Sequence, residues 1–384
     1  MRLRTRKAHL QYSKNPELRA VFAFSDAFPW SKTTSRAARS PAIVSAMTDP
    51  FANRLFRIAF AMAGCYNLAF GLWAAVWPLA FFELFDVATP RYPGIWACLG
   101  MVVGVYGFLY LYAAWKLAAA WPIIVVGLLG KLLGPIGIVT SFGDDWPRRL
   151  GMVCVYNDLI WWLPFGLFLV RGMAIGRWLV RLAPWLCVIV HVVALLMMAI
   201  VLKPATLIEP DAAIRSSYIA QHVTAWSIGW GVWMAAAASL VGFYAWWGSK
   251  LAARNVATMA VVLTAVGMAF DFSGEGLLIF HLVEHATVSP SDYAAFTDVE
   301  RNFVLLSAGV ANGLYTLGGM LLTLATPNLP RRVRALMWIT WLAGLAMTIA
   351  AVMNHVGGMV ISTAVLFPPL IIWTAWMGAR WRHP

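Results

Sequence analysis

Ten stretches of this chain are each long and apolar enough to cross a lipid bilayer, and together they fill almost everything after residue 50. A transmembrane helix needs ~20 mostly apolar residues to cover the ~30 Å of hydrocarbon in a membrane. The sequence therefore predicts an all-α, polytopic integral membrane protein with ten transmembrane helices. The predicted spans cover residues 54–78, 94–115, 121–140, 152–170, 182–202, 222–247, 255–282, 302–325, 335–353 and 358–378.

The composition agrees with a membrane protein and argues against a nucleic-acid partner. Of the 384 residues, 61% are hydrophobic and only 12% are charged, which lies outside the range of soluble domains. The formal net charge is +13, and residues 1–46 supply much of it with nine Lys or Arg against two acids. The remaining charge is spread over loops, and no basic surface with interleaved aromatic residues forms. We therefore predict no nucleic-acid binding and expect the lipid bilayer as the partner.

Loop charges predict the direction in which the chain crosses the membrane. If the N-terminus is cytoplasmic, ten spans return the C-terminus to the cytoplasm. The cytoplasmic segments after residue 47 then carry 13 Lys or Arg, whereas the loops on the other side carry six. Because short cytoplasmic loops are enriched in Lys and Arg, we predict that both termini are cytoplasmic. Arg148 and Arg149 depart from this pattern.

The sequence divides into a basic N-terminal extension and two predicted membrane bundles. Residues 1–46 are basic, rich in Ser and Ala, and lack the apolar core of a signal peptide, so we predict a disordered extension. This extension fits a cytoplasmic tail, a transit peptide, or sequence that precedes a true start at Met47. Residues 52–172 predict a four-span bundle and residues 176–380 a six-span bundle, with the short basic segment 171–181 between them.

An ion pair is predicted inside the four-span bundle. Lys131 is near the middle of the third predicted span, ~15 Å from either membrane surface, where an unpaired charge costs about 2.5–3.5 kcal/mol. The acid within the spans of this half is Asp158, which lies on the next span beside Asn157. Two interpretations follow. The pair is either an internal contact that fixes the register of the bundle, or part of a pocket for a quinone headgroup, a proton or a small polar ligand.

Four sequence runs in this half are distinctive when they are taken together. They are YNLAFGLWAAVWPLAFFELF (66–85), GMVVGVYGFLYLYAAW (100–115), GLLGKLLGPIG (127–137) and NDLIWWLPF (157–165). The region that contains them covers about 120 residues and resembles small four-span bacterial membrane proteins of the DoxX-like kind. The resemblance implies a redox-associated module of the bacterial inner membrane, linked to quinone reduction and to partner subunits of membrane redox complexes. The six-span half shows no such resemblance.

The seventh predicted span carries ionisable residues along one side. Asp271 is near its middle, Glu275 lies one turn further on, and His281 and His285 are at the predicted outer end. At ~100° per residue, Asp271, Glu275 and His285 fall within about 80° of one another around a regular helix. This stripe predicts that the two acids relay protons or cations from the outer face. Alternatively, the acids are satisfied inside the bundle by Ser273 or Asn312.

The histidines of the six-span half suggest a metal or haem site. His281 and His285 have the i, i+4 spacing of two metal ligands on one helical face. A haem could be held by His281 together with His191 or His222 on neighbouring spans. The alternative is that histidines at helix ends lie in the membrane interface.

The sequence contains no signature of a soluble enzyme. There is no G-x-S-x-G motif, no phosphate-binding loop, no dinucleotide fingerprint and no H-E-x-x-H motif, so the sequence leaves open whether the protein is an enzyme. Three functions fit the predicted sites. They are a redox-associated membrane module that handles a quinone, haem or metal, a proton-coupled carrier of a small solute, and a structural subunit without chemistry.

Overall fold

The computed structural model describes residues 49–141 and 146–380, and within them the ten predicted spans are confirmed. The described residues contain no β-strand. The predicted disordered extension at residues 1–46 lies outside the described residues. The spans, numbered 1 to 10 in chain order, are Pro50–Val76, Pro93–Trp115, Leu117–Thr140, Arg148–Val170, Ala174–Ala205, Val223–Gly248, Arg254–Val288, Tyr293–Ala325, Arg331–Val352 and Val356–Arg380. Two short helices, Ala80–Leu84 and Ala212–Gln221, lie between spans.

The spans alternate in direction and define two faces of the bundle. Because their number is even, Asp49 and Arg380 lie at the same face, which we call the terminal face. The opposite face is called the distal face. Sharp turns at the ends of span 9 are made by Asn328 and Asn354, whose φ angles are 54° and 52°. Asparagine tolerates this left-handed backbone conformation better than most residues.

Residues 283–301, which join the predicted seventh and eighth spans, are mostly helical. Span 7 continues to Val288, and span 8 already begins at Tyr293. The side chain of Asp292 accepts a hydrogen bond from the backbone N–H of Ala295 at 3.1 Å. Such an N-cap starts a helix ahead of its apolar segment. Spans 7 and 8 therefore extend beyond the apolar runs from which they were predicted.

In the four-span half, glycines and phenylalanines make the main contacts. A Cβ atom added to Gly71 would lie 2.6 Å from the Cα of Gly104, so spans 1 and 2 approach as closely as small residues allow. Phe60 of span 1 packs edge to face on Phe165 and Phe168 of span 4, with ring centroids 5.6 and 4.9 Å away. These contacts join spans 1, 2 and 4.

Three buried tryptophans close the six-span half near the terminal face. Trp247, Trp341 and Trp373 are at most 3% exposed, and the ring of Trp373 lies 5.5 and 5.6 Å from the other two rings. Each indole N–H donates a hydrogen bond of 2.9 to 3.1 Å to a threonine hydroxyl. The acceptors are Thr326, Thr323 and Thr340. We call these three tryptophans the tryptophan floor, a dense layer whose indole N–H groups are all satisfied.

The two halves contact each other through spans 4 and 7. The ring of Phe280 lies directly against Gly151, and Gly276 lies against the side chain of Val155. Both halves belong to one compact unit, Pro50–Pro384. Glycine at these two positions lets the helices approach closely.

Arg149 ties the halves together at the distal face. Its Nη1 lies 3.1 Å from Oε1 of Glu284 on span 7, and its backbone N–H donates to the other carboxylate oxygen at 2.8 Å. The same guanidinium donates to the backbone oxygens of Phe85 and Asp86, at 2.6 and 2.8 Å. This residue departs from the loop-charge pattern, and its contacts give a structural reason for a base at this position.

Candidate functional site

A cavity of about 500 Å³ lies inside the six-span half, between the tryptophan floor and the distal face. Spans 5 to 10 form its walls, and most lining side chains are apolar or aromatic. Small-molecule sites commonly measure about 300–1,000 Å³ and combine an apolar wall with a few polar groups. The described lining includes no Lys or Arg. Apart from tyrosines, its ionisable residues are His191, Asp271, Glu275 and Glu300.

Asp271 projects from the middle of span 7 and is held by two hydroxyls of span 8. The Ser307 hydroxyl donates to Oδ1 at 2.5 Å, and the Tyr315 hydroxyl donates to Oδ2 at 3.0 Å. The side chains of Ser273 and Asn312, the predicted partners, instead donate hydrogen bonds to the backbone carbonyl oxygens of Ala269 and Gly344. Each oxygen of Asp271 therefore has a donor, and the carboxyl group is fixed at the wall of the cavity.

Glu275 lies one turn from Asp271 towards the distal face and lines the same cavity. It is only 2% exposed, and its Oε2 has no hydrogen-bond partner among the described residues. Leaving a buried polar group unsatisfied costs about 1–3 kcal/mol, so such groups are rare and call for an explanation. A bound molecule with a hydrogen-bonding group would provide one.

Span 6 contributes three tryptophans to the cavity at i, i+4 and i+7 spacing. The indole N–H of Trp226 donates to the backbone oxygen of Leu278 at 2.9 Å. The indole N–H groups of Trp230 and Trp233 are buried and have no partner within the described residues. The two tryptophans with unused donors and Glu275 with its unused acceptor therefore line the same, mostly apolar cavity.

His191 faces the cavity from the middle of span 5. Its Nδ1 lies 2.8 Å from the backbone oxygen of Cys187, one turn earlier. This contact assigns the ring proton to Nδ1, because a carbonyl oxygen can only accept. Nε2 is then an acceptor, and no described residue donates to it. The ring centroid of Phe367 on span 10 lies 6.0 Å from that of the imidazole.

The segment between spans 5 and 6 covers the distal end of the cavity. This segment contains a short helix, Ala212–Gln221, and residues 205–208 line the cavity. Arg215 donates from Nε and Nη2 to the two carboxylate oxygens of Glu300 at 2.8 and 2.6 Å. Both side chains are buried. This two-pronged pair anchors the segment to span 8, and we call the segment the roof.

Three walls of the cavity contain π-helical segments. They are Met198–Leu202 in span 5, Leu277–His281 in span 7 and Leu305–Ala311 in span 8. Such segments are frequent at functional sites. A π turn accommodates roughly one extra residue, which rotates the following side chains by about 100° relative to a regular helix. In span 7 this shift falls between Glu275 and His285, and it separates the predicted stripe into two parts.

Of the four histidines predicted for a metal or haem site, His191 alone is part of the described lining of the cavity. His222 is exposed at the start of span 6, and its ring stacks on Tyr218 with centroids 4.2 Å apart. The described residues include no group of three or more His, Cys, Asp or Glu side chains that could hold a metal ion. Metal or haem binding by His281 and His285 stays a prediction.

In the four-span half, Lys131 and Asp158 lie together. Their Nζ and Oδ1 atoms are 3.9 Å apart, and both side chains are buried. Lys131 also donates to the backbone oxygen of Asn157, whose side-chain amide donates to Asp158 at 2.8 Å. Asp158 belongs to the π segment Val155–Leu159 and lies against Gly134, where an added Cβ would be 3.0 Å from Oδ2. None of these residues lines the cavity of the six-span half.

The sequence interpretation missed Trp230 and Trp233, together with the buried pair of Arg215 and Glu300. A signal for the tryptophans was present, because Trp226, Trp230 and Trp233 share one helical face. No comparable signal exists for the ion pair, whose members are 85 residues apart.

No family model, curated protein or solved structure matches the chain. The DoxX-like resemblance of the four-span half stays a prediction.

Proposed function

We propose that this multi-pass membrane protein binds the headgroup of a quinone in the cavity of the six-span half. The observation that carries the proposal is that Glu275, Trp230 and Trp233, which line one apolar cavity, each have a buried polar atom without a partner among the described residues. A quinone ring is flat and largely apolar and has two carbonyl oxygens. It matches a site with aromatic walls and a small number of directed polar groups.

The polar groups of the cavity complement both forms of a quinone. The indole N–H groups of Trp230 and Trp233 are donors for the carbonyl oxygens of the oxidised ring. Glu275 and Nε2 of His191 are acceptors for the hydroxyl groups of the reduced ring. The absence of Lys and Arg from the described lining favours an uncharged headgroup, and the aromatic side chains provide faces and edges for ring contacts.

Reduction of a quinone adds two electrons to the conjugated ring and one proton to each of its two carbonyl oxygens. Glu275 is placed to exchange one of these protons, and Asp271 lies one turn behind it, held by Ser307 and Tyr315. The electrons come from a separate membrane redox subunit in this scheme. That partner is the one implied by the DoxX-like resemblance of the four-span half, which we retain as part of the proposal.

We also propose that the terminal face is the cytoplasmic face of a bacterial inner membrane. The support is the distribution of Lys and Arg, with 13 on that face and six on the other after residue 47. The cavity then lies in the half of the membrane that faces away from the cytoplasm.

A proton-coupled carrier of a small cationic solute is the second candidate. It is favoured by the carboxyl groups of Asp271, Glu275 and Glu300, which line the cavity without a lining Lys or Arg. Glu300 is neutralised by Arg215. The other two acids would exchange their protons for the cation in this function.

The test is the pH dependence of quinone binding to the purified protein in lipid nanodiscs. A protonated Glu275 can donate to a quinone carbonyl, whereas its carboxylate cannot. We therefore expect the affinity of the wild-type protein for oxidised quinone to fall as the pH rises. The amide of the Glu275→Gln variant donates at every pH, so its affinity should stay constant and exceed the wild-type value at high pH by about tenfold, the effect of one hydrogen bond of ~1.4 kcal/mol.

Glu83→Gln is the matched control, because Glu83 is exposed on the short helix Ala80–Leu84, outside the cavity. This variant should keep the wild-type profile. A wild-type protein that binds no quinone would overturn the proposal. Proton-dependent uptake of tetraphenylphosphonium into vesicles, lost in Asp271→Asn, would then support the carrier.

A further inference from the structure

Spans 5 and 10 are in close contact near the terminal face. A Cβ atom added to Gly378 of span 10 would lie 3.0 Å from the Cβ of Pro184 and 3.2 Å from Nε1 of Trp185, both on span 5. The two helices therefore leave no passage between them at this level.

Towards the distal face the same two spans form opposite edges of the cavity. Pro368 and Pro369 lie in span 10 between the two levels. A proline inside a helix removes a backbone hydrogen bond, and prolines are a common origin of helix bends. Beyond this point the cavity is lined by His191, Leu195 and Met198 of span 5 and by Val360, Ala364 and Pro368 of span 10.

The edge on span 10 belongs both to the cavity and to the outer surface of the bundle. Val360 is 44% exposed, and Ala364 and Pro368 are also exposed. Their spacing of four residues places them in one stripe along the helix. Their neighbours Ile361 and Val365 are 66% and 46% exposed and are not part of the cavity lining, so they face lipid. The cavity wall thus continues directly into the lipid-facing surface of span 10.

Span 5 provides a matching edge on the other side. Leu195 and Met198 are half-buried and line the cavity. Leu196 and Ile200 are 52% and 72% exposed and lie outside the lining. All four side chains are apolar, so the edge has the chemistry of a surface that contacts hydrocarbon.

We infer that the cavity opens sideways into the hydrocarbon between spans 5 and 10, and that the ligand carries a hydrocarbon tail that leaves through this gap. The inference rests on the proposed quinone site and adds the route of entry and the position of the tail. A tail that lies along Val360 and Ala364 stays in an apolar environment for its whole length. The headgroup then reaches Glu275 from the membrane, without passing the roof.

Phe367 marks the junction between headgroup and tail. Its ring centroid lies 6.0 Å from that of His191 and 5.5 Å from that of Trp233. Ala364, one turn nearer to the distal face, lies in the exposed edge. The headgroup therefore occupies the Trp233 side of this ring, and the tail passes on the Ala364 side.

The test compares two ligands, a benzoquinone with a ten-carbon alkyl tail and the same ring without a tail, at equal concentration in the lipid of nanodiscs. The variant Ala364→Trp places an indole in the gap. It is expected to weaken binding of the tailed quinone about tenfold, which corresponds to the loss of roughly two buried methylene groups, and to leave binding of the tailless ring unchanged. Val360→Trp, one turn away, should act in the same way and serves if the first variant does not fold.

Ile361→Trp is the matched control, since Ile361 is exposed on the same span but lies outside the cavity lining. It should change the binding of neither ligand. If the wild-type protein binds both ligands equally well, or if Ala364→Trp weakens both to the same extent, the sideways opening is overturned while the headgroup site stands. If the wild-type protein binds neither ligand, the proposed quinone site itself is overturned, and the inference falls with it.

Discussion

The two halves of the molecule bury their ionisable side chains in different ways. In the four-span half a base meets an acid, since Lys131 and Asp158 lie 3.9 Å apart and are 5% and 2% exposed. In the six-span half Asp271 and Glu275 line a cavity whose described wall contains no Lys or Arg. Hydroxyl groups hold the first of these acids, and the second keeps an oxygen that no described residue contacts by a hydrogen bond.

This difference separates a structural role from a ligand-binding role. A buried charge that is paired inside the protein is already compensated, and its removal leaves the partner unpaired. A buried acid that faces a cavity without a base can be compensated by a bound molecule. We therefore propose that Lys131 and Asp158 fix the register of the four-span bundle, and that Asp271 and Glu275 belong to the proposed ligand site.

The largest expected effect comes from breaking the pair in the four-span half. Lys131→Met leaves the Asp158 carboxylate buried without a base, and we expect the free energy of unfolding to fall by about 3 kcal/mol. Equilibrium unfolding in mixed detergent micelles measures this change. Lys203→Met removes an exposed lysine at the distal end of span 5 and should change stability by less than about 0.5 kcal/mol.

The double variant Lys131→Met with Asp158→Leu sharpens this test. It removes both charges, and replacement of a buried pair by apolar side chains is often neutral for stability. We expect it to recover most of the loss. If Lys131→Met unfolds no more easily than the Lys203→Met control, the contrast between the halves is not one of internal charge compensation.

A smaller effect is expected at the contact between the halves. Arg149→Gln removes the ion pair with Glu284 and the hydrogen bonds to the backbone oxygens of Phe85 and Asp86, which lie between spans 1 and 2. It should lower the free energy of unfolding by about 1.5 kcal/mol. Asp86→Asn tests the most exposed member of this contact, whose side chain is 92% exposed, and should leave unfolding unchanged. Equal losses for the two variants would contradict the assignment of the contact to Glu284.

The smallest effect on stability is expected for Glu275→Gln. Oε2 of the acid has no hydrogen-bond partner in the part of the chain that the structure describes. The amide therefore loses no compensating contact, and the free energy of unfolding should stay within about 0.5 kcal/mol of the wild-type value. Glu300→Gln makes the same chemical change in the same cavity but deprives Arg215 of its carboxylate, so it should destabilise the protein clearly. If Glu275→Gln lowers the free energy of unfolding as much as Glu300→Gln does, Glu275 has a structural partner. Its assignment to the proposed ligand site then loses its basis.

The features that could be predicted from the sequence are those that follow directly from the free-energy cost of placing polar groups in hydrocarbon. All ten spans could be located from apolar runs that are long enough to cross the membrane. A lone Lys131 in such a run requires a partner, and Asp158 was the acid available to it. Asp271 and Glu275 share the cavity because the helix between them is regular, so the i, i+4 rule holds over that distance.

Features that depend on contacts between distant spans could not be predicted. The π segment Leu277–His281 breaks the helical period, so the position of His285 could not be extrapolated from Glu275. Whether an indole N–H is satisfied depends on the neighbouring span, which provides a threonine for Trp341 but no described partner for Trp230.

The tryptophan floor has an electrical consequence. It is a layer of buried, close-packed indole rings between the cavity and the terminal face, and the voltage across a membrane falls mainly over such poorly polarisable layers. Moving one elementary charge through the full voltage involves about 2.3 kcal/mol per 100 mV. A proton that reaches Glu275 from the distal compartment does not pass the floor, so its arrival and departure on that side cross only part of the voltage.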